Sequence, residues 1–122
     1  MGNNTHILWI DDEGDFLAPM VFLLESKGFK VSTAPTGAAG LESLAELKPD
    51  IVFCDISLPD MSGVDVLSKI RSGVPGQPVV MVSAAYQDGM LYEQAKELGI
   101  SGFFCKTGSF EELEKILLTI PG

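Results

Sequence analysis

The chain has 122 residues, 46% hydrophobic and 20% charged, with a net charge of −9, which suits one domain with a packed core and excludes a disordered chain. The acidic balance argues against direct nucleic-acid binding, because phosphate contacts need clustered Lys and Arg. No apolar run reaches the roughly 18 residues of a membrane span, no basic and apolar leader opens the chain, and two cysteines form no disulfide framework, so a cytoplasmic setting is expected.

The elements alternate along the chain. HILWI (6–10) is a short apolar strand that stops at Asp11. Phe16, Met20, Leu23, Leu24 and Lys27 recur at helical spacing over 16–28, with Gly28 as the stop and Pro19 expected near the first turn, where a missing N–H costs least. FKVSTA (29–34) alternates at period two, and 36–48 is a helix ended by Pro49. DIVFC (50–54) is a buried strand leading into Asp55, 63–72 a helix, QPVVMVSA (77–84) a strand and 88–99 a helix closed by Gly99. SGFFC (101–105) is the last strand, and Ser109 with Glu112 forms a capping box for a helix over 109–120.

Five strand–helix units without a linker predict an α/β domain over 1–122: a doubly wound, five-stranded parallel sheet with helices on both faces. Short right-handed crossovers favour the flavodoxin-like strand order 2-1-3-4-5, with the ligand crevice at the carboxyl ends of the strands.

Those ends carry the chemistry. The first strand ends in Asp11, Asp12 and Glu13, the third in Asp55, the fourth in Ser83 and the fifth in Lys106. The first and third strands are neighbours in this order, so Asp11, Asp12 and Asp55 converge. Two carboxylates about 4 Å apart repel by roughly 4 kcal/mol at a partly screened dielectric, so the cluster demands a cation. Mg²⁺ (or Mn²⁺) suits a few carboxylates and leaves room for a phosphate oxygen. Ser83 can hydrogen-bond such a phosphate and Lys106 can neutralise it. An ionised Asp55, a divalent metal, a hydroxyl and an ammonium make a phosphoryl-transfer site that needs no histidine base.

With ILWIDDE, DISLPDMSG, VVMVSA and GFFCK in that order, the chain resembles the response-regulator receiver domains of two-component signal transduction, the CheY-like phosphoacceptor modules. The resemblance covers essentially the whole chain, so residues 1–122 are expected to form a single receiver domain, with no output domain among them. It implies that Asp55 accepts the phosphoryl group and that Asp11, Asp12, Asp55 and the backbone carbonyl of Ser57 hold the metal. Ser83 and Lys106 would bind the phosphoryl oxygens. Ser83 and Phe103 would form the switch, reporting phosphorylation to the face of the fourth helix, fifth strand and fifth helix, where a downstream protein docks. The implied donor is a sensor histidine kinase or a histidine phosphotransfer protein. Such a domain is a phosphorelay signalling module, an enzyme only toward its own phosphorylation and dephosphorylation. One position departs from the family: Thr107 follows Lys106 where a proline, often cis, is usual. A cis bond before a non-proline residue costs about 2.5–4 kcal/mol, so a trans bond and an altered loop are expected. Ala85 and Ser57 would flank the phosphoryl group.

Each of these residues also has a plainer role. Taken singly, Asp11 is a helix-start acid, Ser83 a strand-end serine, Lys106 a surface lysine and Phe103 a core residue; their combination promotes them. His6 lies roughly 16 Å from the acids along its strand and is structural, while Trp9 is core. Cys54 and Cys105 stand two strand spacings apart, roughly 9.6 Å, too far for a disulfide. Two alternatives of other classes remain: a pseudo-receiver acting as a phosphorylation-independent interaction module, and an Asp-nucleophile phosphatase. The phosphatase would need a second Asp where Ser57 stands. No phosphate-loop motif supports a nucleotide site.

Overall fold

The computed structural model describes residues 5–84 and 89–120. Strands and helices alternate strictly: β1 (His6–Ile10), α1 (Gly14–Ser26), β2 (Lys30–Ala34), α2 (Gly37–Leu47), β3 (Ile51–Asp55), α3 (Gly63–Gly73), β4 (Val79–Ser83), α4 (Gly89–Leu98), β5 (Gly102–Cys105) and α5 (Phe110–Leu118). All strand pairs are parallel and the order is β2-β1-β3-β4-β5, as the alternation predicts.

The apolar runs are uninterrupted because both faces of the sheet are covered. Strand alternation divides each run between two cores. Ile7, Trp9, Ile51, Phe53, Val80, Val82 and Phe104 pack with Leu17 and Leu24 of α1 and Leu113 and Leu117 of α5. Leu8, Ile10, Val52, Cys54, Val79 and Met81 pack on the other face with α2, α3 and α4. Trp9 is fully buried, stacked on Phe53 with ring centroids 4.7 Å apart.

Local signals fix the helix ends. Thr36, Ser62 and Ser109 accept from backbone N–H groups of their helices' first turns, the capping role that short hydroxyl side chains fill best. Gly28, one residue past the Lys27 cap of α1, and Gly99, directly after α4, take positive φ values of 97° and 93°, where any other residue would be strained.

Some boundaries differ from expectation. α1 begins at Gly14, two residues early, so Pro19 lies within the helix rather than in its first turn. Its ring faces solvent, where water can serve the carbonyl that loses its partner. β4 starts at Val79 instead of Gln77, because the Gln77 N–H closes a turn on the Val74 carbonyl at 3.1 Å and Pro78 has no N–H to give a ladder. Asp88, expected to open the fourth helix, and Ala85 lie outside the described residues.

Candidate functional site

Strand alternation aims the charged groups before any side chain is considered. Asp11 continues the Ile7–Trp9 parity, Asp55 the Ile51–Phe53 parity, and Lys106 the parity of Phe104. All three therefore rise over the core covered by α1 and α5, at the carboxyl ends of adjacent or near-adjacent strands. The β3 to α3 loop returns immediately, since Ser57 N–H donates to Asp55 Oδ1 at 3.0 Å and Gly63 N–H to the Ile56 carbonyl at 2.8 Å.

Lys106 is the hub. Its Nζ donates to Asp55 Oδ2 at 2.8 Å, to Asp11 Oδ1 at 3.1 Å and to Glu13 Oε1. The ammonium also lies 5.0 Å from the centroid of the Phe16 ring, a cation–π platform supplied by α1. Only 8% of the lysine side chain is exposed. Burial alone would depress its pKa, but the bonds to Asp55, Glu13 and Asp11 outweigh burial and hold it above the ordinary lysine value. The charge is permanent at neutral pH.

The acids are arranged to hold a cation. Carboxylate oxygens of Asp11, Asp12 and Asp55 lie within 4.8 Å of one another. Asp11 is pushed above the usual carboxylate range by burial and by the Asp55 charge, against the Glu13 N–H and Lys106. Its buried Oδ2 has Lys106 Nζ 3.0 Å away as an ion pair yet accepts no hydrogen bond. Three converging carboxylates, one of them with a buried oxygen that accepts no hydrogen bond, fit a hard divalent cation such as Mg²⁺. Cys54 offers no rival chemistry: burial and the two nearby aspartates drive its pKa far up, so the thiol stays protonated.

Ser83 and Phe103 stand elsewhere. Ser83 is fully buried at the end of β4, paired in register with Cys105, and its carbonyl accepts the Lys106 N–H at 2.8 Å. Its parity with Val79 and Met81 places it on the α2–α4 face, opposite the charged cluster's core. Phe103 is on that same face, packed against the Leu8 and Met81 core, and meets Tyr92 of α4 edge-on at 4.8 Å between centroids.

Comparisons with known proteins assign the family. The family description "response regulator receiver domain" matches residues 7–118. The chain belongs to that family. It is 39% identical over 108 residues to the transcriptional regulatory protein KdpE of Mycobacterium tuberculosis, covering 88% of this chain and 47% of that protein. A second relative, the probable transcriptional regulatory protein TcrX of the same species, is 42% identical over 84 residues, 68% of this chain and 36% of the relative. The receiver thus spans about half or less of the length of these curated relatives. Among solved structures it resembles a CheY-like receiver domain protein from Methanospirillum hungatei, with a TM-score of 0.88 at 28% identity, covering 97% of this chain and 94% of that one. A receiver domain protein from Clostridium thermocellum gives 0.86 at 30% identity, with 95% and 94% covered. The sequence expectation of no nucleic-acid partner is not borne out by these relatives, whose names assign them to transcriptional regulation. Charge alone misleads here, because −9 describes this chain while the relatives extend well beyond the matched part.

Within the receiver, the Lys106–Thr107 bond is trans, as expected, since the described residues contain no cis peptide. The loop is closed by the Gly108 N–H on the Cys105 carbonyl at 2.8 Å, and Thr107 Oγ1 lies 3.0 Å from Cys105 Sγ. Both cysteines are free. His6 Nε2 meets Ser32 Oγ at 2.8 Å, at the opposite end of β1 from the acids. Sequence reasoning gave Glu13, Phe16 and Asp60 no part in the chemistry of the site, and Phe16 only a place in the apolar spacing of the first helix. Only the triplet DDE hinted at Glu13. Asp60 bridges to the first turn of α2, its oxygens accepting from Gly37 N–H at 2.8 Å and Ala38 N–H at 3.0 Å.

Proposed function

We propose that this receiver accepts a phosphoryl group on Asp55 from the phosphohistidine of a sensor histidine kinase or a histidine phosphotransfer protein. The observation that carries this is the buried Lys106 ammonium bonded to both Asp55 and Asp11 at the carboxyl edge of the sheet. An Asp55 carboxylate oxygen attacks phosphorus as the bond from phosphorus to the donor imidazole nitrogen breaks; the electron pair returns to that nitrogen, and with a proton on its other ring nitrogen the donor histidine leaves neutral, with an acyl phosphate on Asp55. Asp11, Asp12, Asp55 and the Ser57 carbonyl would hold Mg²⁺ (or Mn²⁺), which supplies electrostatic stabilisation of the transferring group. Lys106 holds the Asp55 carboxylate in place before transfer and offers its charge to the phosphoryl oxygens during it.

The switch is the one the family resemblance implies, and the shared position of Ser83 and Phe103 on the face that α4 covers supports it: a Ser83 hydroxyl drawn toward the acyl phosphate would free space into which Phe103 repacks. That shifts a pre-existing equilibrium of the face formed by α4, β5 and α5 toward the conformer a partner protein prefers. Met90, 75% exposed on α4, provides an apolar anchor for that partner. A cytoplasmic location suits the two free thiols and the expected kinase.

Intact mass after incubation with acetyl phosphate tests the assignment. A Mg²⁺-dependent gain of one phosphoryl group in the wild type, absent in Asp55→Asn, is expected. Equal gain in Asp55→Asn would move the acceptor elsewhere. No gain with any phosphohistidine or small-molecule donor would leave a receiver fold used only as an interaction module.

A further inference from the structure

A lysine ammonium has three N–H bonds to give, and in Lys106 all three are taken, by Asp11 Oδ1, Asp55 Oδ2 and Glu13 Oε1. The three acceptors are not equivalent. Asp11 and Asp55 have side chains 0% and 7% exposed, and each also accepts a backbone N–H, from Glu13 and Ser57. The Glu13 side chain is 58% exposed. Among the described residues its carboxylate has no partner besides Lys106.

We propose that Glu13 is a displaceable competitor for Lys106, a positioning residue that an incoming phosphoryl group must evict, and that it thereby disfavours small anionic phosphoryl donors. The inference rests on Asp55 being the phosphoacceptor. A phosphoryl oxygen needs one N–H of Lys106. Asp55 is the acceptor itself and Asp11 is buried among the acids, so the exposed partner is the one that can leave. Its negative charge also stands at the mouth of the site, where it repels an anionic donor before contact.

The fold leaves Glu13 free to do this. Glu13 occupies the N-cap position of α1, but its side chain makes no capping hydrogen bond. Its backbone N–H is already held by Asp11 Oδ1 at 2.9 Å. Swinging the carboxylate away therefore breaks nothing in α1. A residue that capped the helix would hold the helix start instead of Lys106.

The test compares acetyl phosphate loading at saturating Mg²⁺ for the wild type, Glu13→Gln and Asp15→Asn. Asp15 is exposed in the first turn of α1 and makes no contact with Lys106, so its variant removes the same charge without vacating the ammonium. An exposed ion pair sets the scale: Glu13→Gln should lower the half-saturating acetyl phosphate concentration roughly two- to five-fold, with the maximal rate little changed, and Asp15→Asn should do markedly less. A merely structural role for Glu13 would instead lower the maximal rate. Unchanged or weaker loading in Glu13→Gln, or an equal gain in Asp15→Asn, overturns the competitor while leaving Asp55 as acceptor. If neither the wild type nor Glu13→Gln gains a phosphoryl group from acetyl phosphate or from a phosphohistidine donor, the Asp55 assignment falls and the competitor falls with it.

Discussion

A β-carbon on Gly63 would stand 2.1 Å from the carbonyl oxygen of Asp55 and 2.7 Å from Ile56 Cα. The start of α3 is thus pressed onto the end of β3 with no room for a side chain. Both contacts are backbone, which cannot swing aside. Gly63→Ala should therefore force the loop between Asp55 and α3 outward, displacing the Ser57 N–H from Asp55 Oδ1. The expected cost is that of core overpacking, about 1–3 kcal/mol, read by urea denaturation. Loading of Asp55 should fall as well, since the acceptor loses its backbone donor. A variant as stable as the wild type would mean the two segments separate without cost.

Asp60 ties the same loop to α2, and the tie has a pH signature. The Ala38 and Gly37 N–H bonds hold its carboxyl below the usual range. A folded pKa below the unfolded one means that the unfolded state binds more protons in between. The stabilisation is present above the ordinary aspartate pKa and is lost as pH falls through the depressed value. The unfolding midpoint of Asp60→Ala should accordingly lie below that of the wild type at pH 7, and the two should converge in strong acid. A gap that persists in acid would assign the effect to packing, not to the ionised cap.

The acid cluster makes metal and mutation act with opposite signs. Without a cation, Asp11, Asp12 and Asp55 repel one another, so Asp12→Asn should melt at or above the wild-type temperature in EDTA. With Mg²⁺ the order should reverse, because ligand binding to the folded state stabilises by about 1.4 kcal/mol at ten times the dissociation constant. Differential scanning fluorimetry with and without MgCl₂ reads both. A Mg²⁺ shift that survives in Asp12→Asn would remove Asp12 from the metal site.

The sheet and the ends of its strands were legible because short uninterrupted apolar runs and their abrupt stops at polar or charged residues are local signals. The convergence of Asp11, Asp12, Asp55 and Lys106 follows from the strand order, once β1 and β3 are neighbours. What escaped was contact with backbone. Asp60 reaches α2 across 23 positions in the sequence, and its partners are N–H groups, which every residue but proline has. Glu13 stood in plain view beside Asp12, yet its bond to Lys106 spans 93 positions. Nothing in either neighbourhood distinguishes that bond from solvent exposure. Pro19 misled because a helix begun at Phe16 satisfies the apolar spacing as well as one begun at Gly14.

Arg71 is a further case of backbone recognition, and it is far from the acids. Its Nε and Nη2 donate to the Gly99 carbonyl at 3.0 and 2.8 Å, and its Nη1 donates to the Gln77 and Pro75 carbonyls at 2.7 and 3.3 Å. One guanidinium thus clamps the end of α3 to the turns before β4 and after α4. Lysine cannot reproduce it, having a single nitrogen where the fork offers three. Arg71→Lys should lose about 1–2 kcal/mol, the net worth of one or two well-made hydrogen bonds, measured by urea denaturation. Loading of Asp55 should stay near wild type, because no strand end in the site depends on these carbonyls. The turn after α4 leads directly into β5 and Phe103, so the clamp also limits how far the α4 end of the switch face can move. Loosened in this way, the unphosphorylated Arg71→Lys protein should show hydrogen exchange in α4 and the following turn raised well beyond the increase that lower global stability gives α1 and α2. Exchange raised uniformly would mean that the substitution merely lowers global stability, and the clamp would have no part in the switch.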